Sequence, residues 1–308
     1  MRRRWMIRMI RRWSLILLVL MLFCSAAAAE GELRGYSEED GYIYVTFGRY
    51  FQSIDGGTPD DGKQAWEWST QAKKERKAAK KAKKEYDPGE ARKDPILWRV
   101  MSADGEKVFL LSEYVLFASV MHSSIKEFRD YGADFTITDL SRKLNGEFMA
   151  DAFSEAEQAA MMERDGLGKV FLPDSRELED PAAGFSKQKS QNKLRKAWAT
   201  EYAIRVTGAY VYQPKNGNHT PYWLREQSTT DRRQGRSIKS TGAIGRLGVT
   251  GEDVGARPAI DLRPDAIRIE GGSGTKNDPY RLAPVPQAAG QPEVTTEELK
   301  QVKETADP

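Results

Sequence analysis

The side chains that most often carry catalysis are scarce in this chain of 308 residues, which holds one cysteine, Cys24, and two histidines, His122 and His219. Two imidazoles fall short of a three-histidine metal site, and neither sits in an H-x-x-E, H-x-x-D or H-E-x-x-H spacing that would bring a second ligand to the same helix face. Both are read as ordinary surface or half-buried residues. No G-x-S-x-G turn is present to hold a nucleophilic serine, and no G-x-x-x-x-G-K-[ST] loop to cradle a phosphate. Gly242-x-x-Gly245-x-x-Gly248 lacks the strand-to-helix setting of a dinucleotide fingerprint and fits a crowded β loop. With 45 acids, carboxylate pairs are always available for glycosidase-type hydrolysis. Yet Glu113, Glu147 and Asp261 each have a simpler reading, as loop anchor, polar helix face and strand-end partner. Asn277-Asp278-Pro279 is one fragment of a calcium-binding set and reads as an Asx–Pro turn. The expectation is a chain with no catalytic residue, no metal site and no cofactor.

Recognition chemistry is better represented. Tyr210, Tyr212 and Tyr222, with Asn216 and Asn218 between them, form an aromatic and amide-rich stretch in which rings can stack and amides can bond hydroxyls. Arg225 and Arg236 extend it, and the whole loop region 208–246, rich in Tyr, Arg, Ser and Gly, is the expected binding face. Trp98 and Trp223 lie in apolar runs and are assigned to the core. Arg257 is assigned a structural pairing role because Pro258 and Ile260 lead on into a strand.

The address comes from the first 29 residues. An arginine-rich stretch, the apolar run Leu15–Phe23 and Ser25-Ala26-Ala27-Ala28-Ala29 follow one another in the order of a signal peptide, with cleavage expected after Ala29. The apolar run is about half the roughly 20 residues that span a bilayer. Bulky Phe23 before Cys24 argues against lipidation, and ordinary secretion is expected. Without the leader the chain has no cysteine, which removes disulfides, thiol nucleophiles and Cys-ligated metals. The formal charge of +3 also changes sign, because six arginines and no acid lie in the leader. Nucleic acid is therefore not an expected partner.

The elements that must position these residues are read as follows. Residues 30–42 are an entry segment, Tyr42–Gly48 a first strand, and 53–63 a glycine- and proline-marked loop. Residues 71–86 are a Lys/Ala-rich helical insert stopped by Asp87-Pro88-Gly89, with no large apolar side chain to bury. It is read as solvated, drawn weakly to polyanions, and without an aromatic platform for base stacking. Ile96–Met101 and Val108–Leu111 form a β-hairpin. Thr138–Ala150 is helical with Leu140, Leu144, Phe148 and Met149 near one face, and Ser154-x-x-Glu157 caps a further helix running to about Met162. Val170–Leu172 is a short strand, Asp174-x-x-Glu177 repeats the cap spacing, and 191–205 is helical into Ala203. Tyr210–Tyr212, Tyr222–Arg225, Ala243–Val249 and Ala256–Leu262 are short strands, and 283–308 is a disordered tail. The fold class expected is α+β, one irregular domain over 43–282.

Seven pieces then occur in a fixed order: Val45-Thr46-Phe47-Gly48-Arg49-Tyr50, Ile96-Leu97-Trp98-Arg99-Val100, Leu110-Leu111-Ser112-Glu113-Tyr114, Leu140-x-x-x-Leu144-Asn145-Gly146-Glu147-Phe148, Tyr222-Trp223-Leu224-Arg225, Gly255-Ala256-Arg257-Pro258-Ala259-Ile260 and Gly274-Thr275-Lys276-Asn277-Asp278-Pro279-Tyr280. Over residues 43–282 this order resembles a bacterial exported family that carries domain of unknown function six-two-seven-three. The Trp-Leu-Arg and Gly-x-Arg-Pro-Ala pieces also resemble the core of the C-type-lectin-like fold, shared by formylglycine-generating enzymes and variable binding proteins. The resemblance implies a short-stranded lectin-like domain and brings no catalytic residues; the copper-binding cysteines of the formylglycine-generating relatives are missing beyond the leader. The insert at 71–86 departs from the family's short connection. The function expected is an exported, non-enzymatic binding or envelope-associated module for a glycan, cell-wall polymer or extracellular peptide, touching membrane only through its leader or weak charge attraction. The alternatives are an extracytoplasmic carboxylate-dependent hydrolase and a scaffold tethered to anionic envelope polymers by the basic helix.

Overall fold

The computed structural model describes residues 32–55, 64–186 and 191–286. The leader 1–29 and most of the tail 283–308 lie outside the described residues. In chain order the principal elements are β1 (Tyr44–Ile54), α1 (Ala65–Ala82), β2 (Ala91–Ala103), β3 (Val108–Ser112), β4 (Phe117–Ala118), α2 (Ile125–Tyr131) and α3 (Asp139–Lys143). Helix α3 runs through a π-helical turn, Leu144–Phe148, into α4 (Met149–Ala152), and α5 (Glu155–Ala160), β5 (Met161–Met162), β6 (Val170–Phe171) and α6 (Glu201–Arg205) follow. The chain then forms β7 (Tyr222–Gln227), β8 (Gln234–Ile238), β9 (Ile244–Gly248), β10 (Gly255–Ala256), β11 (Ala259–Leu262), β12 (Ile267–Ile269) and β13 (Tyr280–Pro284). The fold is α+β.

Two sheets organise it. The larger, eight-stranded sheet runs β12-β13-β1-β2-β3-β11-β5, with β6 also pairing β11; the smaller, five-stranded sheet runs β4-β10-β7-β8-β9. The larger sheet is apolar on both faces, as the two-residue period of a strand requires when both are covered. Val108 and Leu110 of β3 join one core cluster with Val45, Phe47 and Trp98, while Phe109 and Leu111 join the other with Phe171, Tyr222 and Leu224. The expected core residues Trp98, Trp223 and Arg257 are all fully buried. Each indole N–H finds a carbonyl, Trp98 at Phe47 (2.8 Å) and Trp223 at Ser119 (2.9 Å).

Several elements differ from expectation for identifiable reasons. Strand β1 continues past Gly48 to Ile54 because that glycine, at φ +69°, sits at a register shift in the β1–β2 ladder and does not end the strand. A side chain there would strike the Phe153 ring at 2.5 Å. Helix α1 starts at Ala65 rather than Gln71 and ends at Ala82, with Lys83 left-handed at φ 54°. Ala65, Ser69 and Ala72 recur at helical spacing on its buried side, and Arg76 donates to the Arg205 carbonyl of α6 (2.8 Å). The insert is therefore docked by its first half and solvated only in its second. The Ser154–Glu157 capping box forms, with Glu157 Nα donating to Ser154 Oγ (3.3 Å) and Ser154 Nα to Glu157 Oε2 (2.8 Å), but its helix stops at Ala160. Asp174 and Glu177 make the same reciprocal bonds (2.9 and 2.8 Å) over turns without a helix.

Residues 191–205 are a 3-10 turn (Lys193–Arg195), an extended stretch and then α6, capped by Thr200. Tyr210–Tyr212 is no strand; from an extended loop the Tyr210 backbone N–H donates to the Asp253 carbonyl (2.9 Å) and that of Tyr212 to the His219 carbonyl (3.2 Å). Ala256–Leu262 is two strands in two sheets. The chain crosses from β10 to β11 at Arg257-Pro258, where proline cannot continue a ladder. Among the described residues no helix is long and apolar enough to cross a membrane.

Candidate functional site

The crossover places Arg257 beside Arg99 of β2 and Glu113, just after β3. Arg257 Nε donates to the Ser112 carbonyl (2.6 Å), and its Nη2 lies 3.9 Å from Glu113 Oε2. Arg99 pairs directly with Glu113 through Nε and donates from Nη1 to the Leu194 carbonyl (2.7 Å). Lys276 reaches the other carboxylate oxygen (2.8 Å), its ammonium lying over the Tyr114 and Trp198 rings. Burial opposes the charge on Glu113 more than any other influence, yet Arg99, with Lys276 and Arg257, holds its pKa at about 2. At neutral pH this carboxylate is a locked counter-ion. Burial also pushes the neighbouring Tyr42 phenol up to about 12, and its hydroxyl donates to the Ala183 carbonyl (2.6 Å).

A second ionic set closes the same sheet. The Arg164 guanidinium lies between the Phe109 and Phe171 rings, 4.3 and 4.1 Å from their centroids. It makes a fork with Asp261 (2.6 and 2.5 Å) and pairs with Glu177. Arg225 takes the remaining Glu177 oxygen (2.6 Å) and Asp174 (2.6 Å). Arg225 is thus a structural partner, although it also borders a depression of about 570 Å³ with Phe135, Leu167 and Glu226. Tyr222 is a correction as well. It is fully buried, donates to the Arg195 carbonyl (2.7 Å) and accepts from Arg257 (3.2 Å), because the first residue of β7 points into the second core cluster.

The histidines are more buried than expected. His122 Nδ1 accepts from the Asp139 N–H (3.3 Å), and His219 stacks on Trp198 at 4.9 Å between ring centroids. Among the described residues no group of three His, Cys, Asp or Glu side chains could hold a metal ion.

What remains open to solvent gathers around the β8–β9 hairpin. Tyr210 and Tyr212 are 39% and 38% exposed, edge to face at 5.8 Å, and line a groove of about 350 Å³ with Pro221, Leu247, Val254 and Lys239. A polar groove of about 490 Å³ is lined by Arg236, Lys239, Arg246, Gln234, Ser228 and neighbouring residues. Lys239 borders both. The two faces of edge strand β9 supply the division, since Leu247 lines the aromatic groove while Ile244 and Arg246 line the polar one. The structure therefore brings Tyr210 and Tyr212 together and sets Arg236 in the adjoining groove. Asn216 ends the 3-10 turn Pro214–Asn216.

Lys239, Arg246 and Gln234 fell within the expected face 208–246 without being singled out, because β8 reads as polar and glycine-containing and its pairing with β9 was not seen. The signal was the hairpin turn. Gly242, left-handed at φ +82°, folds β9 back so that Arg236 pairs with Arg246. Comparison of the chain with family models, with curated proteins and with solved structures gives no match.

Proposed function

We propose that this chain is an exported, non-enzymatic binding module with a C-type-lectin-like core, related to the exported bacterial family it resembles, and that it holds a glycan or cell-wall polymer around the β8–β9 hairpin. The observation that carries this reading is the exposed Tyr210–Tyr212 pair facing a groove, where most other large aromatic side chains belong to the core or its margin. Paired rings present flat apolar faces for pyranose rings, and the flanking Ser240, Thr241 and Asp253 supply polar contacts for hydroxyls. The signal-peptide layout of residues 1–29 supports export to where such polymers are found.

The hydrolase alternative has less support. The most buried carboxylates, Glu113 and Asp261, are each engaged by arginines, and at Glu113 this favours the ionised form and disfavours a proton-donating role. A polymer tether through α1 draws support from its solvated second half, where Lys77, Lys80 and Lys81 are exposed. A glycan and cell-wall array probed with the full chain tests the main reading. Salt-resistant binding that falls at least tenfold in Tyr212→Ala is the expected outcome. Binding that disappears at physiological salt and is insensitive to Tyr212 would transfer the case to α1.

A further inference from the structure

Arg236 and Arg246 are direct cross-strand partners in the β8–β9 ladder. Opposed residues have Cβ atoms about 4.5–5.5 Å apart, and like charges at that distance repel. Among the described residues no ion pair offsets them. Arg236 and Lys239 make no side-chain hydrogen bond or ion pair with any described residue, and Arg246 donates only to the neutral Thr230 hydroxyl (2.9 Å). No acid lines the groove, and Asp231, within electrostatic reach of Arg246, is already forked by Arg233 (3.0 Å). Gln234 also lines this groove, while its Oε1 is buried and without a donor. Three cations without an anion are complementary to one kind of ligand, one that carries oxyanions.

We infer that the polar groove is an anion subsite, and that the polymer held at the hairpin is an acidic one, a polyol or sugar chain bearing phosphate or carboxylate groups. The inference rests on the binding reading for the ligand being a polymer, and adds its charge. An oxyanion between Arg236 and Arg246 turns their repulsion into two charge-assisted hydrogen bonds, and Lys239 adds a third donor. Because Lys239 also borders the Tyr210–Tyr212 groove, a chain crossing the hairpin can stack a ring on one side and place its charge on the other.

The test is calorimetric titration of the full chain with three oligomers of equal length: glycerol phosphate, galacturonate and uncharged dextran. The charged oligomers are expected to bind at least tenfold more tightly than dextran, and to lose at least tenfold in Arg236→Gln and in Arg246→Gln. The phosphate and carboxylate arms identify which oxyanion is preferred. Without ligand the same variants are expected to melt roughly 1 °C higher, because removing one charge relieves the repulsion. Equal binding of dextran, variants that bind as the parent does, or variants that melt lower would each overturn the inference. Charged oligomers that depend on Arg236 and ignore Tyr212→Ala would uphold the anion subsite while sinking the stacking reading. Dextran binding that depends on Tyr212 and ignores Arg236 would do the reverse.

Discussion

The larger sheet and the edge hairpin of the smaller one use arginine in opposite ways. In the larger sheet and its crossover, Arg164 is sandwiched by two rings and forked to Asp261, Arg99 is paired with Glu113, and Arg257 donates to Ser112 and to Tyr222. At the edge of the smaller sheet, among the described residues, Arg236 and Lys239 make no hydrogen bond or ion pair and Arg246 meets one neutral hydroxyl. Paired buried charges fix how strands and crossover sit against each other, while unpaired charges in an open groove stabilise nothing in the free protein. Residue type alone does not distinguish the two uses; the presence of an acceptor does.

The contrast is broken most forcefully at Glu113. Replacing it by glutamine leaves Arg99, Arg257 and Lys276 around a neutral amide, and about 3–5 kcal/mol of stability is expected to be lost in urea unfolding. A loss under about 1 kcal/mol would mean that the arginine set is held by packing alone. Arg164→Met keeps apolar bulk between the two rings and removes the charge facing Asp261, with an expected loss of about 2–4 kcal/mol in the same assay.

A pH profile sharpens the comparison. Glu113 titrates at about 2 in the folded chain against an ordinary value of 4.5, so the unfolded chain binds more protons between those values. Stability is therefore complete above pH 4.5 and falls as the pH drops towards 2, by on the order of 3 kcal/mol from this group. The acid slope is expected to flatten in Glu113→Gln, measured as urea midpoints across that range. Ser154→Ala removes a helix cap that touches neither arginine set, and its expected cost of about 1 kcal/mol sets the scale for a local defect. The smallest effect has the opposite sign, since Arg236→Gln and Arg246→Gln are expected to gain a few tenths of a kcal/mol.

Much of the fold was legible where side-chain pattern and backbone state agree. Leu140, Leu144 and Phe148 marked a helical face, the Ile96–Leu111 hairpin showed as two apolar runs joined by a glycine-containing turn, and the Ser154–Glu157 cap formed as its spacing required. What escaped depended on contacts distant in sequence. Tyr222 reads as one of three clustered tyrosines, and only the packing of β7 buries it. Gly48 reads as a strand end until the Phe153 ring beside it is seen. Arg225 and Arg236 look alike in sequence; Asp174 and Glu177, about 50 residues away, engage one and leave the other free.

The most direct measurement of the central claim is hydrogen–deuterium exchange on the full chain, with and without a saturating acidic oligomer. Protection is expected in residues 234–248 and around Tyr210–Tyr212, with the amides of β2, β3 and β11 unchanged. Protection confined to residues 77–86 of the lysine-rich segment, or no difference at the hairpin, would contradict the account and show that the unpaired cations of β8 and β9 are not a recognition surface.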